Sequence, residues 1–296
     1  IVEGFRPGVV DKLGIGYAVV RAINPRIVYA SITGYGQDGP WRQRAGHDIN
    51  FLAISGVLDQ IGCRGGAPAL PNLQIGDLLG GALTPLVGLL AAVIGARTTG
   101  VGRYIDVAMT DAVLAHAVVP LLAVLATGLV APRGDDMLSG GVPCYAVYAT
   151  ADERYLAVGA LEPKFWKLFC ATLACPDLVP YGLATGDEGS RVKSALARII
   201  AAQPLAHWTA LFAEVDCCVT PVLRLEETLE HEQILARQME IEVDGVRQFA
   251  PPWKLSEHQF VTPRPAPPAG ADSESILGAH GYTAAEIAAL RDAKVI

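Results

Sequence analysis

His47 and Asp77 are the residues of this sequence best placed for proton chemistry. Each follows a glycine, in Gly46-His47-Asp48-Ile49-Asn50 and in Gly76-Asp77-Leu78-Leu79-Gly80-Gly81, and each opens an apolar run. Imidazole and carboxylate can both act as acid or base near neutral pH, so two of them can take a proton from one face of a carbon and return one to the other. Ile49, Leu52, Ala53 and Val57 recur at helical spacing, which predicts a helix with Asp48 as its N-cap and His47 just outside. Asp77 leads into residues 78–96, predicted as a helix whose first turn points unpaired N–H groups back at the carboxylate. Two such helix mouths suit an enolate or a tetrahedral intermediate, with negative charge on oxygen. An Asp before an apolar helix is most often only a cap, and a lone His is most often structural. The pairing, with Asn50 and the glycine-rich approach to both, favours chemistry here.

The elements needed to position these groups follow an alternating pattern. Residues 1–8 read as the end of a strand and a turn, and residues 17–23 as a short helix stopped by Asn24-Pro25. Residues 26–33 are a β-branched run with the character of a buried parallel strand. It ends in the glycine-rich loop 34–40, at the carboxyl end of a strand, where α/β proteins bind ligands. A strand over 100–108 and an apolar helix over 111–127 continue the α/β rhythm. From about Gly128 the pattern changes to strands over 142–150 and 154–160, helices over 164–173, 188–202 and 205–215, and a strand over 218–223. A charged helix over 226–239 and a hairpin over 241–249, turning at Asp244-Gly245, come next. A Pro-rich extended tail over 250–270 leads to a last helix over 282–293, with Thr283 and Glu286 as a capping box.

With 296 residues, 51% of them hydrophobic and 18% charged, the chain holds one large or two moderate domains of an interior-rich, oligomeric enzyme. A net charge of −7 and the lack of a basic patch argue against nucleic acid as a partner. The six cysteines, Cys63, Cys144, Cys170, Cys175, Cys217 and Cys218, show no metal-ligand spacing and read as reduced core thiols. No signal peptide pattern opens the chain, so the expected location is cytoplasmic. Residues 78–96 and 112–132 are long and apolar enough for membrane spans. Their Gly and Ala content, Pro85 and Pro120, and the lack of flanking Lys/Arg clusters or aromatic belts favour helices buried between a sheet and a partner subunit, without membrane insertion.

Five motifs in order carry a resemblance over essentially the whole chain: Glu3-Gly-Phe-Arg-Pro-Gly8, Thr33-Gly-Tyr-Gly-Gln-Asp-Gly-Pro40, Gly46-His-Asp-Ile-Asn50, Gly76-Asp77 with Gly80-Gly81, and Gly159-Ala-Leu-Glu-Pro163. Together they resemble the family III CoA-transferases and, within them, the α-methylacyl-CoA racemases. The resemblance implies an α/β fold: a Rossmann-like parallel-sheet large domain with a smaller α+β domain, in an interlocked homodimer with sites between subunits. The large domain would begin with residues 1–127, the small domain would span 128–250, and 251–296 would return to pack a C-terminal helix on the large domain. His47 and Asp77, thirty residues apart, would be the bases on the two faces of the substrate. Glu162 would be a third active-site carboxylate, and is expected to hydrogen-bond His47. Arg6 would lie near the CoA pyrophosphate, and Gly46, Asp48, Asn50, Gly76 and Gly80 would line the substrate site.

The implied reaction interconverts (R)- and (S)-2-methylacyl-CoA thioesters through an enolate, in fatty acid and lipid metabolism. It takes no metal and no cofactor other than the CoA of the substrate. Two alternatives stand beside it. In the transferases the Gly-Asp aspartate is a nucleophile that moves CoA between an acyl-CoA and a carboxylate, and the position of His47 is not histidine. Family members also begin upstream with a glycine-containing βα unit that helps to bind CoA, which leaves room for a non-catalytic CoA-binding fragment. Three methionines are fewer than the Met-rich acyl surface of relatives would require.

Overall fold

Three strands that end at one edge build the platform for His47. In a computed structural model describing residues 1–261 and 265–296, β1 (Val2–Glu3), β2 (Val28–Thr33) and β3 (Arg103–Ala108) form a parallel sheet with β2 in the middle. Every residue of β2 except Ile32 is buried, as its β-branched run requires. Short helices α1 (Val9–Lys12) and α2 (Tyr17–Ile23) connect β1 to β2. After β2 come α3 (Asp48–Ile54) and α4 (Val57–Gln60), separated by Gly56 in the left-handed conformation at φ +79°. The chain divides into two units, Ile1–Val222 and Leu223–Ile296.

The expected helix over 78–96 starts earlier and is not α-helical throughout. Gly76–Leu83 is a π-helical segment that runs without a break into α5 (Thr84–Thr99). Pro85 therefore does not interrupt the run. A proline lacks an N–H and crowds the carbonyl four residues back, and the wider register just before it relieves both demands. Leu79 O instead accepts from Thr84 N–H and, at 2.7 Å, from Thr84 Oγ1. Gly76–Thr99 is 24 residues long and is, among the described residues, the one single helix long and apolar enough to cross a membrane. The expected helix over 111–127 is two helices, α6 (Met109–His116) and α7 (Val118–Thr127), bent by 74° at Ala117. The break precedes Pro120, which sits within the first turn of α7, where a missing N–H costs nothing.

The rest of the first unit combines an antiparallel sheet with helices. Strands β4 (Tyr145–Ala149), β5 (Tyr155–Gly159) and β6 (Val219–Pro221) form an antiparallel sheet in that order. Helices α8 (Pro163–Thr172), α9 (Gly186–Ile200) and α10 (Leu205–Phe212) share a buried core with it. Helix α9 has Asp187 and Glu188 in its first turn and Arg198 in its last, which suits the helix dipole. Its Val192, Leu196 and Ile200, four apart, are fully buried in the same core as Leu156, Phe169 and the nearly buried Trp208. Each large apolar side chain there contributes about 1.5–3 kcal/mol of transfer free energy.

In the second unit the charged run over 226–239 is again two helices, α11 (Leu225–Glu230) and α12 (Glu232–Ala236), parted by His231 in an extended conformation. The hairpin β7 (Glu240–Val243) and β8 (Val246–Phe249) turns at Asp244 and Gly245, both at positive φ. A helix not foreseen, α13 (Ser273–Ala279), precedes α14 (Ala284–Asp292). In α14 the Thr283 N–H donates to Glu286 and the Glu286 N–H donates to Thr283 Oγ1, as the capping box requires. The expected extended tail includes residues 262–264, which lie outside the described residues.

Candidate active site

A cleft of about 340 Å³ opens at the carboxyl ends of all three parallel strands. It is lined by Phe5, Arg6 and Pro7 after β1, by Gly34 and Tyr35 after β2, and by Met109 after β3. His47, Arg42 and Arg44 close its other side. The loops are braced across the cleft: Gln43 Nε2 donates to Pro7 O at 2.9 Å, and Thr110 Oγ1 to Gly34 O at 2.7 Å. Arg42 and Arg44 were not singled out in the sequence, although arginines clustered in strand-end loops of an α/β chain are a readable signal for anions. The Arg44 guanidinium lies 4.1 Å over the Trp41 ring, and Trp41, Tyr35 and Phe51 pack edge to face beside it.

His47 is the N-cap of α3, in extended conformation, and its ring is exposed. Its backbone N–H donates to Asn50 Oδ1 at 3.0 Å, so Asn50 fixes the turn that presents the imidazole. Gly46 is required by packing, since a Cβ there would lie 2.7 Å from the Tyr35 hydroxyl and 2.8 Å from the Phe51 ring. Asp48 is not the cap. It is the first helical residue, and its carboxylate reaches across to the next glycine motif. Asp48 Oδ1 accepts from Gly76 N–H at 2.6 Å and from Asp77 N–H at 3.2 Å.

This clamp revises the expectation for Asp77. The residue lies inside the first turn of the π segment, exposed, and the N–H groups expected to be unpaired there are occupied: Gly76 and Asp77 donate to Asp48, and Leu78 to Gln74 O. Those donors are spent on holding two segments together, not left for an oxyanion. Gly80, buried in the same segment, packs on the start of α6, where an added Cβ would lie 3.0 Å from Met109 O. The structure thus ties the His47 and Asp77 segments to each other through Asp48, while Asp77 does not line the arginine cleft.

Glu162 stands apart. It is the exposed N-cap of α8, next to Pro163 at the first helical position. Its charge acts on Cys218, whose thiol is pushed up first by burial and then by this carboxylate. Cys218 and Gly159, beside it, line a separate cavity of about 770 Å³ with Arg64, Tyr145 and Lys193. Among the described residues, no hydrogen bond joins Glu162 to His47 within one chain.

The sequence profile of CoA-transferase family III matches residues 1–273. The chain belongs to this family. It is similar to the α-methylacyl-CoA racemase of Homo sapiens, 36% identical over 100% of this chain and 78% of the relative, and to that of Mus musculus, 34% identical over the same shares. The acetyl-CoA:oxalate CoA-transferase of Acetobacter aceti is 31% identical over 90% of this chain and 70% of its own length. Among solved structures, a CAIB/BAIF family protein from Brucella suis superposes with a TM-score of 0.80 at 23% identity, over 94% of this chain and 74% of that one. The family III fold, mixed α/β around a parallel sheet, is the architecture described above.

Proposed function

We propose that this family III chain is an α-methylacyl-CoA racemase, acting on 2-methylacyl-CoA thioesters by moving the C2 proton from one face to the other. The observation that carries the reading is the Asp48 clamp, which sets an imidazole and a carboxylate on adjoining segments beside an arginine-lined cleft. The two relatives named α-methylacyl-CoA racemase, 36% and 34% identical over the full chain, support it. A thioester C2 proton is less acidic than imidazolium or a carboxylic acid by about ten pKa units, about 14 kcal/mol, so the bases act only with a substrate held in place and its enolate stabilised. Arg6, Arg42 and Arg44 would hold the CoA phosphates and orient the thioester toward His47. His47 would remove or deliver the proton on one face, and Asp77 on the other. CoA is part of the substrate, and no further cofactor enters this scheme.

We further propose a cytoplasmic homodimer with the large domain built around residues 1–127, the small domain around 128–250, and each site completed by Glu162 of a second copy. Two features support this: among the described residues no hydrogen bond joins Glu162 to His47 within one chain, and Gly76–Thr99 leaves Leu78, Leu86, Val87, Leu90 and Ile94 exposed. Proton NMR of (R)-2-methylacyl-CoA in deuterated water tests the activity. The (R) substrate becomes an (R)/(S) mixture carrying deuterium at C2 with the protein and not with His47→Ala; epimerisation that is unchanged by His47→Ala rules the reading out.

A second reading has its own support in the 31% identity to the Acetobacter aceti acetyl-CoA:oxalate CoA-transferase. There Asp77 would be a covalent nucleophile, and a hydroxylamine-sensitive acyl-enzyme with ping-pong kinetics would establish it.

A further inference from the structure

Helix α8 ends in a Schellman motif that brings two cysteines together. Ala174, just past the C-cap, is left-handed at φ +52°. Its N–H donates to Ala171 O at 3.0 Å, and the Cys175 N–H donates to Cys170 O at 2.8 Å, the paired bonds that define this cap. In such a cap a side-chain contact between the two residues joined by the six-residue bond is frequent. Here both are thiols. With N···O at 2.8 Å, ordinary covalent geometry keeps the two Cα atoms within about 6.7 Å, inside the span of about 4.4–6.8 Å that a disulfide bridges.

We infer that Cys170 and Cys175 form a dithiol that a hydroperoxide closes to a disulfide across the C-terminal cap of α8. The two thiols differ in the way this chemistry needs. Cys170 is fully buried and donates its S–H to Cys175, which pushes its pKa up, as does burial. Cys175 is half-buried, and accepting that hydrogen bond draws its pKa down. The thiolate, not the thiol, is the nucleophile. Cys175 thiolate attacks the peroxide oxygen, the O–O bond breaks, and a sulfenic acid forms with release of hydroxide. The Cys170 sulfur then attacks the Cys175 sulfur, and the leaving hydroxyl takes the Cys170 proton and departs as water. Two thiols are oxidised by two electrons in all, and the peroxide is reduced. A cytosolic disulfide of this kind is transient and reversible.

The test uses the whole chain. No lysine or arginine lies between Lys167 and Arg191, so one tryptic peptide carries Cys170 and Cys175 and no other cysteine. Without oxidant, iodoacetamide adds two alkyl groups to this peptide. After a few equivalents of hydrogen peroxide it adds none, the peptide mass falls by two hydrogen atoms, and dithiothreitol restores both thiols. In Cys175→Ser, peroxide leaves Cys170 open to alkylation; Cys170→Ser, whose buried site makes it the riskier variant to fold, leaves Cys175 as sulfenic acid trapped by dimedone. Further oxidation of Cys175 with Cys170 still alkylated in the wild type would overturn the inference. So would reaction at Cys63 or Cys218 alone, or an unchanged peptide under peroxide that oxidises free glutathione.

Discussion

A 2.6 Å hydrogen bond joins the Asp48 carboxylate to the Gly76 amide, and the same oxygen accepts from Asp77 N–H at 3.2 Å. Asp48 directly follows His47, so one side chain ties the His47 segment to the Asp77 segment. Removing it leaves the amide of buried Gly76 and that of exposed Asp77 without this acceptor and frees the π segment to shift. Asp48→Ala is expected to cost about 1.5–3 kcal/mol in urea unfolding. It is also expected to slow C2 exchange by about 10²-fold, as misplaced catalytic groups do. Asp48→Asn keeps an acceptor oxygen and recovers part of both. Wild-type exchange in Asp48→Ala would show that the clamp does not position the site.

The three cleft arginines should act on binding, not on the proton transfer. Arg6→Ala, Arg42→Ala and Arg44→Ala are each expected to raise KM for acyl-CoA while leaving kcat within about twofold, since loss of a contact made equally in ground and transition states has that signature. With an acyl-pantetheine thioester, which lacks the phosphates, the same variants should match the wild type. Added salt should weaken acyl-CoA binding and spare the pantetheine substrate.

Complementation between subunits tests where Glu162 acts. His47→Ala and Glu162→Gln are each expected to abolish most of the epimerisation activity. Unfolded together in equal amounts and refolded, they should regain about a quarter of wild-type activity, because in the proposed homodimer half of the pairs would be mixed and each mixed pair would have one intact site. No recovery above the separate variants would place Glu162 in the same chain's site or outside it.

Asp152 gives the small α+β layer a defined dependence on pH. Its carboxyl is held below the usual range, first by the Thr150 hydroxyl at 2.5 Å and also by the Leu205 N–H at 3.1 Å. The folded value is depressed, so the stabilisation is present above the unfolded value of about 3.9 and is lost as pH falls through the folded value. Asp152→Asn should therefore melt below wild type by a constant margin from neutral pH to about pH 5, and the gap should close in more acid solution. A gap that widens with acid would contradict this.

Much of the fold was legible locally. The period of Ile49, Leu52 and Ala53 marked α3 and put His47 at its mouth, and the β-branched run marked β2. Asp48 was misread because an Asp before an apolar run is a cap by local rules. Its true acceptor role depends on a backbone 28 residues away, which no window of sequence contains. The breaks at Ala117 and His231 were missed for a similar reason, since composition on both sides of each is uniform while the backbone turns. Glu162 was singled out by its motif alone, and its local sequence carries no sign of which groups it faces.

The π segment also changes how this stretch must be read. A wide turn is equivalent to one residue inserted into an α-helix, and one residue is about 100° of rotation. A helical wheel drawn straight through residues 77–96 therefore misassigns which leucines share an azimuth with the aspartate. Deleting a single residue among 79–83 would remove the wide turn and leave Asp77 at its present azimuth relative to α5, whereas ordinary winding at the present length would swing it about a quarter-turn away from Asp48. Length and winding in this stretch are thus tied together: the loss of one residue is compatible with the phase of Asp77, while a return to α-helical winding at full length is not.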